Sequence, residues 1–158
     1  MTGEAFTEAI NGMVQTLYRV SCSQLSIEAD REDAVQETLR KAWEKRASLK
    51  NDHHLQTWVI RILINVCHDI QRERQRMIPT GKTPEPVTQA PADTVDLLNC
   101  LFQLDERERI PIILHYLEGY EVMQIAAILR IPQGTVKSRL ARGRRQLKDV
   151  CREEVFEP

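Results

Sequence analysis

The stretch Glu121–Asp149, EVMQIAAILRIPQGTVKSRLARGRRQLKD, decides the fold. Ile125, Ile128 and Leu129 sit at helical spacing, and Ala126 and Ala127 let another helix approach closely. Pro132 suits the first residue of a new helix, where its missing N–H costs nothing. Beyond it Val136, Leu140, Leu147 and Val150 follow a period near 3.6 residues and define one apolar side. The other sides carry Lys137, Arg139, Arg142, Arg144, Arg145 and Lys148, with no acidic residue between Arg130 and Lys148. A short helix, a tight turn and a basic second helix predict a helix-turn-helix whose second helix enters the major groove. Gln133-Gly134-Thr135 keeps that helix start small and polar, so backbone N–H groups and side chains can reach phosphates and base edges. A basic amphipathic helix alone also suits a solvated surface, a membrane surface or a partner protein. The preceding helix and the Pro-marked turn favour DNA.

The 158-residue chain can hold one ordinary domain or two small ones. Its 42% hydrophobic and 28% charged content is that of a globular chain and excludes intrinsic disorder as the dominant state. The net charge of −1 is no signature of a free-standing DNA binder, which relies on neutralising phosphates. Charge is segregated, however. Glu28 to Glu44 holds six acidic residues against three basic ones, opposite in character to the C-terminal helix. Two partners of opposite character follow from that division.

Met1 to Glu4 shows no positive start or apolar core of a signal peptide, and Arg61 interrupts the longest apolar run, Trp58 to Cys67. Cys22, Cys67, Cys100 and Cys151 are widely spaced and form no CxxC pair. The expectation is a reduced, cytoplasmic protein with buried thiols and no membrane insertion.

The predicted fold class is all-α: two small helical domains joined by a flexible Pro-rich linker, the C-terminal one a helix-turn-helix. The first domain, residues 1–76, begins with a helix over about Glu4 to Ser26, carrying Phe6, Ile10, Met13, Val14, Leu17 and Val20 on one side. Asp30 is placed to cap a second helix with Asp33 at the reciprocal position, and Ala34, Val35, Leu39, Ala42 and Trp43 form its buried stripe. After a polar break from Arg46 to His54, a third helix runs from about Leu55 to Arg76, with Leu55, Val59, Ile62, Leu63, Val66 and Ile70 inward. The linker, residues 77–93, holds four of the seven prolines and no apolar periodicity. Extended, it could span roughly 50 Å at about 3.1 Å per residue. In residues 94–158, Val95, Leu98, Leu101 and Phe102 predict a short helix. Asp105 then caps another with Ile110, Ile113, Leu114 and Leu117, which Gly119 should stop; Pro111 inside it is tolerable near the first turns and otherwise predicts a kink. No segment alternates as a strand would.

No catalytic constellation can be assembled. His53, His54, His68 and His115 lack metal-ligand spacing with one another or with the cysteines, and there is no Gly-rich phosphate loop or nucleophile elbow. The chain is therefore read as a non-enzyme with no cofactor and no metal.

Three stretches together resemble one family. Asp30-Arg-Glu-Asp-Ala-Val-Gln-Glu-Thr-Leu-Arg-Lys-Ala-Trp43 is similar to the acidic helix of bacterial RNA polymerase sigma factors. Thr57-Trp-Val-Ile-Arg-Ile-Leu-Ile-Asn65, followed by Asp69 and the arginines to Arg76, resembles their promoter-melting helix. Ile131 to Arg142 resembles their C-terminal helix-turn-helix, and the order and length are those of the small extracytoplasmic-function (ECF) group. The resemblance implies a subunit that binds core RNA polymerase and directs promoter recognition and transcription initiation. It assigns polymerase docking to Asp33, Gln36 and Glu37. It assigns the −10 DNA element to Arg61, Asn65, Arg72, Arg74 and Arg76, with Asn65 at a pocket for an unstacked base, where an amide can read a base edge. It assigns the −35 element to Thr135, Lys137, Ser138, Arg139, Arg142 and Arg145. Promoter DNA and core polymerase are the implied partners, with an anti-sigma factor as a further one.

Three positions depart from the family pattern. Glu121 stands where Ser or Thr usually caps, Arg130 where glycine is common in the turn, and His54-Leu55 where aromatics are frequent. A left-handed Arg130 should cost roughly 1 kcal/mol or more. A rival reading is a stand-alone dimeric helix-turn-helix repressor or activator on a palindromic operator, although no dimer helix is evident. Another is an adaptor whose basic helix meets an acidic protein.

Overall fold

A computed structural model describes residues 1–77, 85–87, 89 and 92–151. Every regular element among them is helical. The chain divides into two compact units, Met1–Thr83 and Pro84–Pro158. Most of the expected linker lies outside the described residues. Its ends, Met77 and Ala92–Asp93, belong to the flanking helices.

In the first unit the expected N-terminal helix is two: α1 (Gly3–Asn11) and α2 (Val14–Ser21). The break falls at Gly12-Met13, where the Met13 N–H turns back to the Ile10 carbonyl at 3.0 Å. Gly12 permits this cheaply because it stabilises helix interiors poorly. Helix α3 spans Glu28–Glu44 and α4 spans Leu55–Met77, with two short 3₁₀ turns between them at Arg46–Ser48 and Asp52–His54. Leu17, Val20, Ala34, Val35, Val59, Ile60, Leu63 and Cys67 fill the core.

Two expectations for α3 are corrected. The helix starts two residues before Asp30, at an Ile27 N-cap that makes no side-chain bond, so Asp30 is internal and Asp33 has no capping role. The cause is a charge network. Arg31 is fully buried. It donates from Nε to the Leu25 carbonyl at 2.9 Å and from Nη1 to Glu28 at 3.0 Å, while the Tyr18 hydroxyl donates to the same carboxylate at 2.7 Å. These bonds draw the chain into helix at Glu28. Trp43, expected in the buried stripe, is 40% exposed. Phe6 packs on one part of its ring and the Arg46 guanidinium covers it at 3.7 Å.

Cys22 and Cys67 are buried free thiols, as expected, and burial pushes the Cys22 thiol up to about 11. Cys100 departs from the reduced reading because it is disulfide-bonded.

The second unit comprises α5 (Ala92–Leu101), α6 (Glu106–Ile112), α7 (Val122–Leu129) and α8 (Gln133–Cys151). Pro111 removes one backbone donor from α6. The chain then widens into a π turn over Ile113–Leu117, where the Glu118 N–H reaches the Ile113 carbonyl at 3.1 Å. Gly119, at φ 77°, ends the segment. Helices α7 and α8 form the expected helix-turn-helix, with Ile125, Ile128, Val136 and Leu140 buried. Pro132 is the N-cap rather than the first helical residue, and its carbonyl accepts from Thr135 and Val136.

Both departures in the turn resolve physically. The Glu121 N–H is accepted by Gln124 Oε1 at 2.8 Å, one arm of a capping box, so the helix start is satisfied by the third residue as well as the first. Arg130 adopts φ 57°, ψ 47°, and the Ile131 N–H then closes on the Ala126 carbonyl at 3.1 Å. The chain tolerates a left-handed arginine where glycine would fit without strain. Arg130→Gly should therefore raise unfolding free energy by roughly 1 kcal/mol in urea titration. A loss of stability would mean that the Arg130 side chain offsets its own backbone strain.

Candidate nucleic-acid and polymerase interfaces

Asp33, Gln36 and Glu37 lie on the solvent side of α3, opposite buried Ala34, Val35 and Thr38. With Arg40 and Lys41 they form one wall of an open groove whose other wall is Val66, Asp69 and Ile70 of α4. An apolar floor with a mixed-charge rim suits a partner that supplies both hydrophobic and basic groups. Glu37 is not a lone carboxylate. Arg40 donates to it from Nε at 3.0 Å and also pairs with Glu44, and the guanidinium holds the Glu37 carboxyl below its usual range.

On α4 the residues assigned to DNA separate into two groups. At 100° per residue, Arg61, Asn65, Arg72 and Arg76 fall within an arc of roughly 60°. Asn65 is exposed and Arg61 half-buried. Arg72 is exposed and ion-paired with Asp69, and Arg76 lies 3.9 Å from Glu73. Arg74 stands on the other side of the helix. It makes a two-pronged pair with Asp30 of α3, Nε to Oδ2 at 2.8 Å and Nη2 to Oδ1 at 2.9 Å. Its position continues the stripe of buried Leu63 and Cys67 and half-buried Ile70, so its guanidinium is turned toward α3 and away from Asn65. Nearby, Gln71 donates to the Gln24 carbonyl at 2.6 Å and ties α4 to the end of the α2 segment.

On α8, Thr135, Ser138, Arg142 and Arg145 share an arc of about 80° facing away from Val136 and Leu140. Lys137 and Arg139 flank it on opposite sides, Lys137 exposed and Arg139 half-buried. The Ser138 hydroxyl donates to the Gly134 carbonyl at 3.0 Å, which leaves it as an acceptor toward a ligand. Arg144 bonds the Tyr116 hydroxyl at 3.0 Å. The helix is held by an unusually close approach to α6. A Cβ at Gly143 would come within 2.7 Å of Ile112 Cγ1.

Several contributing residues escaped sequence reasoning. Arg31 and Arg109 are cationic yet structural: Arg109 donates to the Leu104 and Phe102 carbonyls at 3.1 and 3.3 Å. Glu108, buried in α6, pairs with Arg142. Little in the local sequence marks these residues, because Arg31 and Arg109 bond backbone carbonyls and Glu108 pairs 34 residues along the chain.

The class is thereby defined: two helical units, the second a helix-turn-helix with a basic outward face. Comparison with known proteins gives the family. Residues 10–77 match the family model for sigma-70 region 2, and residues 94–147 that for sigma-70 region 4. The ECF RNA polymerase sigma factor SigL of Mycobacterium tuberculosis is 30% identical over 148 residues, covering 87% of this chain and 83% of SigL. SigM of the same organism is 28% identical over 148 residues, covering 90% of this chain and 75% of its own. The sigma factor RpoE of Bartonella quintana, solved in complex with the anti-sigma factor NepR, superposes with a TM-score of 0.82 at 28% identity, covering 96% of this chain and 99% of that one. The chain belongs to the ECF family of RNA polymerase sigma factors, which direct promoter recognition and transcription initiation. Among the described residues no helix is long and apolar enough to cross a membrane, and no cluster of His, Cys, Asp or Glu is arranged to hold a metal.

The two groups of α4 arginines should separate in stability measurements. Arg74→Ala leaves Asp30 mostly buried without its partner and should cost about 1–2 kcal/mol, discounted because Arg74 itself is 42% exposed. Arg72→Ala, at an exposed pair, should change unfolding free energy by less than about 0.5 kcal/mol. Equal effects in chemical denaturation would refute the division.

Proposed function

We propose that this chain initiates transcription through three surfaces of different character. The α3 groove, with Asp33, Gln36 and Glu37 on its rim, docks on core RNA polymerase. The Arg61, Asn65, Arg72 and Arg76 face of α4 engages the −10 element as it opens: Asn65 reads an unstacked base and the arginines track phosphates. The α8 face, with Thr135, Ser138, Arg142 and Arg145, reads the −35 element, with Lys137 and Arg139 on its flanks. Arg74 is left out of the DNA-contacting set. The observation that carries the reading is the clustering of an exposed amide with cations on α4, on a helix other than the one that carries the acidic rim.

The protein does no chemistry of its own on this reading and works in the cytoplasm, where polymerase and promoters are. Residues 77–93 serve as the tether between the promoter-reading domains, residues 1–76 and 94–158. An anti-sigma factor is a further partner, by analogy with the RpoE–NepR complex. The dimeric repressor reading is not favoured, because it gives the acidic groove no work. Mobility shift of a promoter fragment with and without core polymerase, followed by mapping of transcription starts, tests the proposal. Tight operator binding in the absence of polymerase would overturn it.

Glu37→Lys should weaken core polymerase binding by at least about tenfold in a competition assay, since it puts like charge against a basic partner, while the thermal unfolding midpoint stays near wild type. Asn65→Ala should slow open-complex formation on duplex promoter by about tenfold, the loss of roughly one good polar contact, and leave initiation on a pre-melted template unchanged. Equal losses on both templates would remove Asn65 from the opening step.

A further inference from the structure

The second unit contains a buried carboxylate that the assignments above leave without a task. Glu108 is only 3% exposed, yet it faces no backbone cap and belongs to no metal cluster among the described residues. Its Oε1 accepts from Arg142 Nη1 at 3.3 Å, and its Oε2 is buried with no hydrogen-bond partner. Arg142 is half-exposed, so its guanidinium straddles the boundary between the α6–α8 contact and the outward face of α8. Gly143 makes this possible. Lacking a side chain, it lets α8 settle against Ile112 and the Glu108 side chain, whose Cβ would stand 3.4 Å from a Cβ at position 143.

A buried carboxylate held by one long bond stabilises the fold poorly, and an apolar residue would fill that place at lower desolvation cost. What the pair does supply is direction. An exposed arginine samples many rotamers, whereas one tethered at Nη1 keeps its remaining edge, Nε and Nη2, as two nearly parallel donors. That fork matches the N7 and O6 acceptors of a guanine in the major groove. The tether also cancels the charge of Arg142, which makes it a weak attractor of phosphates in general. We infer that Glu108 is a positioning residue that aims Arg142 at one base of the upstream promoter element and trades sequence-independent attraction for base preference. This rests on the reading that Arg142 contacts that element.

The test uses full-length protein assembled with core polymerase and a promoter fragment randomised across its upstream element, from which bound duplexes are selected and sequenced. Wild type should enrich a guanine at one position. Glu108→Gln, close in shape and uncharged, should flatten the preference at that position alone by about tenfold, the scale of a lost bidentate contact. It should also steepen the salt dependence of binding by about one unit, because Arg142 becomes available to a phosphate. Arg142→Lys keeps the charge and loses the fork, so it should flatten the same position. In an Arg142→Gln background, Glu108→Gln should change the preference no further, whereas a purely structural Glu108 would still act. If Arg142→Gln leaves every upstream position unchanged, Arg142 does not read the element and both statements fall. If Arg142→Gln flattens a position that Glu108→Gln leaves intact, the positioning role alone is overturned.

Discussion

The first unit depends on a charge that has no exposed surface. Burying an arginine is costly unless its donors are met, and a stranded guanidinium is among the more expensive faults a small core can contain. Arg31 is satisfied by the Leu25 carbonyl and by Glu28, which Tyr18 holds in turn. Those bonds come from α2, from the connection after it and from α3 itself, so they fix where α3 begins and how it is rotated. With that rotation set, Ala34, Val35 and Thr38 must face inward and Asp33, Gln36 and Glu37 outward. Asp30 is turned toward α4, where Arg74 meets it. One buried cation thus determines which carboxylates are structural and which remain for a partner.

The second unit solves a similar problem with size. Its recognition helix presents basic residues over most of its circumference, which leaves a narrow apolar strip to hold it down. Val136 and Leu140 provide part of that hold. Gly143 contributes the rest by absence, since helix axes approach more closely where one side chain is missing. The π turn after Pro111 serves the same contact. A proline in a regular helix would kink it, and widening the following turn re-pairs the backbone while Ile112, Ile113 and Leu114 stay buried.

Periodicity carried much of this fold into the sequence. The apolar positions of α4 and α8 recur over several turns, so their faces could be read without knowing what covered them. Asn65 and Ser138 fell on outward faces for the same reason. The failures share a different origin. Asp30 looked like a cap because Asp caps helices in general, but its partner lies 44 residues away and leaves no local trace. Trp43 looked buried because large aromatics usually are, and Phe6 and Arg46 cover it only in part. Gly12 broke a helix whose apolar stripe continues across the break, a pattern that periodicity cannot distinguish from continuity. The disulfide at Cys100 was invisible because spacing identifies pairs only in dense frameworks. Local rules are blind to long-range partners such as those that join Asp30 to Arg74 and Glu108 to Arg142.

Such pairing bears on the near-zero net charge. Counting arginines as DNA contacts overstates what is available, because Arg31 and Arg109 are spent on carbonyls, Arg74 on Asp30, Arg40 on two glutamates and Arg142 in part on Glu108. The cations left to neutralise phosphates are fewer than the count of arginines suggests. Since the sequence-independent part of DNA affinity, and its salt dependence, both grow with the number of phosphates neutralised, the isolated chain should bind DNA weakly and with a shallow dependence on salt. For a specificity subunit this is an advantage. A free copy with strong general affinity would be titrated by the chromosome before it met polymerase. One whose arginines are internally paired stays available, and gains its hold on DNA only when a larger partner fixes its reading surfaces on the same molecule.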